Sequence, residues 1–137
     1  MSEYVEASVS KIGIDQSQGT GIMVLQTSDH HEVPMTSFSQ EVGEFISRFS
    51  NGDRTSIPTV YKLIEELAEA NMLYLENVEV YSLGGIMRAN IHFRGRGRDK
   101  DLTLKHYRAS DAIALAVYYD ATIMVHKDLI IDRVGLS

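Results

Sequence analysis

Two runs of alternating residues, Leu75–Leu83 and Ile86–Phe93, flank the dipeptide Gly84-Gly85. A period of two sends successive side chains to opposite faces of a strand. Paired glycines take the positive φ angles of a tight turn, so the segment predicts an antiparallel hairpin. In its second run Met87, Ala89, Ile91 and Phe93 share one face, while Arg88, Asn90, His92 and Arg94 share the other. Such a ribbon must join a sheet with one face covered and the other wet. That condition constrains the rest of the chain more than any other feature.

The remaining segments supply partners for it. Tyr4–Ile14 reads as a strand, Asp15–Gly21 as a turn, Ile22–Thr27 as a buried strand, and Val33–Met35 as a short third strand. Ser39 is positioned to cap a helix whose Val42, Phe45, Ile46 and Phe49 form one apolar stripe. A second helix is expected with Pro58 in its first turn. Its Val60, Leu63, Ile64 and Leu67 are expected on the core side, and Lys62, Glu65, Glu66 and Glu69 on the wet side. Leu102–Tyr107 reads as a strand with Leu102 and Leu104 inward and Thr103, Lys105 and Tyr107 outward. Ala112–Val117 leaves almost no polar face, so the third helix should be buried. Ala121–Val125 reads as a last short strand, and the tail after it is unassigned. The expectation is a single α+β domain over residues 1–137: a compact mixed, largely antiparallel sheet with about three helices.

Composition narrows the function. The absence of cysteine excludes disulfides, cysteine nucleophiles and cysteine metal sites. No apolar run approaches a membrane span, and "MSEYVEASVSK" lacks the layout of a signal peptide. A cytoplasmic protein without membrane contact is expected. A net charge of −6 argues against a general nucleic-acid coat, although it leaves room for a local basic site.

Such a site is suggested twice. Arg108, Ser110 and Asp111 stand at the start of the buried third helix. Ser110 is a candidate cap, worth about 1 kcal/mol, and Asp111 complements the helix dipole for roughly 0.3–1 kcal/mol. The same electrostatics bind phosphate when an arginine stands beside exposed amides. Capping and chemistry both remain open at this point. The second suggestion is basic: Arg88, His92, Arg94, Arg96, Arg98 and Lys105 gather around the hairpin, a candidate face for a nucleic-acid backbone. Glu65 and Glu69 have helical metal-pair spacing, but they and His30-His31 are expected at the surface. No P-loop, dinucleotide fingerprint or GxSxG elbow occurs, and no organic cofactor is indicated.

The stretch "YRASDAIALAVYYDATIMV" resembles the bifunctional nuclease family, also called the domain of unknown function 151. That family carries Arg-Pro-Ser-Asp-Ala-Ile-Ala-Leu-Ala before a short strand. Arg108, Ser110, Asp111 and Ala112–Ala116 match in register, with Ala109 in place of the proline. "EVPMTSFSQEVGEFI", "PTVYKLIEEL" and "VEVYSLGGIMRANIHF" resemble the family's strand, second helix and hairpin. Two departures stand out. Val60-Tyr61 occupies the position of a His-Asp pair found in many relatives, and His106 that of an acid.

The resemblance implies a compact α+β domain and nuclease activity on DNA and/or RNA. Under it, Asp111 serves as base or ligand of Mg²⁺ or Mn²⁺, Arg108 as phosphate clamp, and Ser110 as the third catalytic residue. With the basic hairpin added, Arg88, Arg94 and Lys105 are expected to contact the backbone; separately, a homo-oligomer is expected. The alternative from another class is a non-catalytic oligomeric module that binds a protein partner or a small anion.

Overall fold

A computed structural model describes residues 3–97 and 100–130. Gly84 and Gly85 take φ of 61° and 82°, as a two-residue turn requires, and join β4 (Leu73–Leu83) to β5 (Ile86–Gly95) in antiparallel register. β6 (Leu102–Arg108) continues this meander as its outer strand. A second antiparallel meander consists of β1 (Tyr4–Asp15), β2 (Thr20–Thr27) and β3 (Glu32–Ser39). β7 (Thr122–His126) joins the two, antiparallel to β1 and parallel to β4. The result is a seven-stranded sheet of order β3-β2-β1-β7-β4-β5-β6. β3 runs longer than the short strand expected.

The helices lie on one face. α1 (Gln40–Ser50) packs on β1, β2 and β3, and α3 (Ala109–Tyr119) packs on α1 and on β4 to β7. α3 is buried almost all round, as its composition requires, and its alanines allow close approach to the sheet. Another close approach fixes Gly21, where a Cβ would stand 2.2 Å from the Phe38 ring. Ser39 caps α1 by accepting from the Glu41 N–H at 3.2 Å. The chain is thus a single α+β domain with three helices and a mostly antiparallel sheet. No described helix is long and apolar enough to cross a membrane.

α2 (Val60–Ala70) corrects the sequence reading twice. Pro58 precedes the cap, which is Thr59 accepting from the Lys62 N–H at 3.2 Å. The helix is also rotated: Tyr61 and Ala68 are buried, whereas Val60, Leu63 and Leu67 are 58%, 51% and 57% exposed. The cause is aromatic packing. The Tyr61 ring sits 5.5 Å from Phe45 and 5.3 Å from Phe49, edge to face. Turning Tyr61 inward carries Glu65 partly inward too, where it accepts from the Tyr118 hydroxyl at 2.9 Å and pairs with Arg54 at 3.3 Å.

β6 holds a further correction. The β5–β6 register shifts between Ala89 and Ile91, and His106 takes φ of 68°. This bulge resets the alternation. Tyr107 pairs with Ala89 and lines the helix side of the sheet instead of pointing outward. Leu102 lies opposite Phe93 as expected, but it remains 41% exposed.

Candidate phosphate cleft and the groove beside it

α3 starts where β6 ends. Its N-cap is Arg108, in extended conformation and with no side-chain cap hydrogen bond, so Ser110 and Asp111 are the second and third residues of the helix. Ser110 therefore does not cap, and capping does not account for it. Asp111 does occupy the first turn as expected, and its carboxylate accepts from Arg108 Nε at 2.7 Å. That bond holds the Arg108 guanidinium above its ordinary pKa. The contact engages only Nε, so the terminal nitrogens of this 66%-exposed side chain are not used by Asp111.

Arg88 is the cross-strand partner of Arg108 in the β5–β6 ladder. Both line a cleft of about 430 Å³, with Ser37 and Ser39 from the end of β3 and with the 7%-exposed Ser110. Arg88 makes no ion pair among the described residues. The cleft thus joins two guanidinium groups, three serines and the uncapped first turn of a helix, a setting that suits an anion.

The wider basic face does not converge there. Arg94 lies six residues along β5 from Arg88, ~20 Å away, and forms a bidentate pair with Glu76 at 2.8 and 2.9 Å. His92 lies between Glu79 and Thr103 and hydrogen-bonds to both. The Arg96 guanidinium stacks over Tyr74 at 5.4 Å. Lys105 is exposed at the bulge beside His106, which itself bonds to Tyr81. Arg98 lies outside the described residues.

A second depression, of about 520 Å³, opens on the other side of Arg108. Phe45, Tyr61, Ile64, Phe93, Leu104 and Tyr107 line it, with Glu41 and Asp111 as its carboxylates. The cleft and the groove share Ser39 and Arg108. Burial first, then the negative charges of Asp111 and Glu41, push the Tyr61 phenol up to about 12. Two helix starts, those of α1 and α3, therefore bring an acid each to one place. Glu41 was not singled out from sequence, Tyr61 was noted only as a departure from the family pattern, and Tyr107 only as an outward-facing strand residue. Glu41 carried one signal, since it stands in a first helical turn two residues after the cap candidate Ser39.

The model of the bifunctional nuclease domain matches residues 23–136. The chain belongs to the bifunctional nuclease domain family. Comparison with curated proteins yields no match. Within this family frame the departures acquire a location. Val60 and Tyr61, the departures noted in the second helix, line the same groove as Asp111. In the SDAIALA segment Ala112–Ala116 are buried in the core, and Ser110 and Asp111 lie in the first turn of α3, next to Arg108. Among the described residues, no group of three or more His, Asp or Glu side chains is arranged to hold a metal. Glu41 and Asp111 are the carboxylates that line the groove. One or two carboxylates completed by water and substrate phosphate suit Mg²⁺.

Proposed function

We propose that this bifunctional nuclease domain hydrolyses phosphodiesters of DNA or RNA at the start of α3. The observation that carries the reading is the pairing of Arg88 with Arg108 across the β5–β6 ladder, in one cleft with Ser110. The two guanidinium groups neutralise the phosphoryl oxygens, and the α3 amides and the Ser110 hydroxyl donate to them. Asp111, held by Arg108 Nε at 2.7 Å, orients and deprotonates the attacking water. Asp111 and Glu41 would hold a divalent cation, Mg²⁺ or Mn²⁺, which would supply further charge neutralisation. The homo-oligomer is part of the same proposal: Val60, Leu63 and Leu67 of α2 offer the exposed apolar surface it would bury.

The test is divalent-dependent cleavage of single- and double-stranded substrates. Asp111→Asn is expected to reduce the rate by about 100-fold or more, the scale of a lost general base. Equal cleavage by the variant and the wild type would remove Asp111 from the chemistry. A second reading, a non-catalytic anion-binding module, is favoured by Val60-Tyr61 at the groove. It predicts thermal stabilisation by small anions with no cleavage at all.

A further inference from the structure

We propose that the groove next to the cleft receives an unpaired nucleobase, so that the substrate class is a single-stranded or locally unpaired nucleic acid. This rests on the phosphate reading of the cleft and adds to it. A ligand spanning both depressions must be anionic at one end, to meet Arg88 and Arg108, and flat and apolar at the other. The groove's volume of about 520 Å³ falls in the range of small-molecule sites, roughly 300–1,000 Å³. Its aromatic walls offer stacking surfaces, and Tyr107, 50% exposed, is the accessible one. Its Glu41 carboxylate accepts hydrogen bonds and donates none when ionised. It complements the exocyclic amino and ring N–H groups of bases, whereas an aliphatic side chain offers it nothing.

The shared wall decides the class. Arg108 and Ser39 border both depressions, so phosphate and apolar group must be close along one molecule, as phosphate and base are within a nucleotide. Bases inside a duplex are stacked and paired and reach such a groove only by flipping out. Single strands present theirs without that cost.

The experiment is fluorescence anisotropy in EDTA, which separates binding from cleavage. The probes are a single-stranded oligonucleotide, the same strand annealed to its complement, and an abasic strand of equal length. Wild type is expected to bind the single strand most tightly. Tyr107→Ala should weaken that strand alone, by about 10-fold, the scale of one lost base–aromatic stack. Tyr107→Phe should restore it. Arg88→Gln should weaken all three probes alike. Equal affinity for all three probes in wild type, with Tyr107→Ala without effect, would overturn the base groove and leave the phosphate cleft standing. Indifference to Arg88→Gln, or no binding of any probe, would overturn both.

Discussion

Asp111 illustrates how little a catalytic candidate needs to contribute to stability. Its pair with Arg108 is solvent-exposed, with side chains 38% and 66% accessible. Exposed pairs contribute about 0–1 kcal/mol, so the activity of Asp111→Asn reports chemistry rather than unfolding. Tyr61 is the opposite case: it is 6% exposed, and its phenol is raised from 10.0 to about 12. A raised acid favours the neutral form in the fold. The associated stability is complete below the unfolded value of 10.0 and is lost as pH rises through about 12. Tyr61→Phe removes this contribution, so its stability in denaturant should fall less steeply than that of the wild type over that interval. Parallel decline would show that Tyr61 titrates normally. Asp111 could be read from the sequence because a helix start has local chemistry. Glu41 could not be paired with it, because the meeting of two helix starts is a tertiary event, and Tyr107 was turned by a bulge that no period announces.

At the level of elements, the hairpin and α3 were legible because each carries one unambiguous pattern: alternation around two glycines, or apolarity all round. α2 was not, because two stripes compete on it. The Val60, Leu63 and Leu67 stripe is the more hydrophobic by composition, yet Tyr61 and Ala68 face the core. A single aromatic with edge-to-face partners on α1 outweighs several aliphatics that no element covers. Leu67→Gln should therefore change the stability of the isolated protomer by less than about 0.5 kcal/mol. Tyr61→Ala should cost about 3–5 kcal/mol. Chemical denaturation of both variants at low protein concentration checks the orientation, and a reversed ranking would mean that α2 packs as its composition suggested. At high concentration the same Leu67→Gln variant should lower the apparent mass by light scattering if the stripe is the surface of self-association.

For the whole molecule, the decisive property is how charge is distributed over the sheet. The chain carries a net charge of −6, and its cations are not pooled. Glu76 holds Arg94, Glu79 engages His92, and Tyr74 carries Arg96. From sequence the basic ribbon resembled one broad face, because the acids of β4 that answer it belong to a different strand. Among the described residues, the guanidinium groups that the fold brings together in one cleft are those of Arg88 and Arg108. Nucleic-acid binding that releases counterions from two phosphates has a shallow salt dependence. The most direct measurement is the affinity for a single strand over a series of salt concentrations, without divalent ions. Contact through the two-arginine cleft predicts a slope of log affinity against log salt of about −1.4, whereas engagement of six cations along the hairpin would give about −4 and contradict the account.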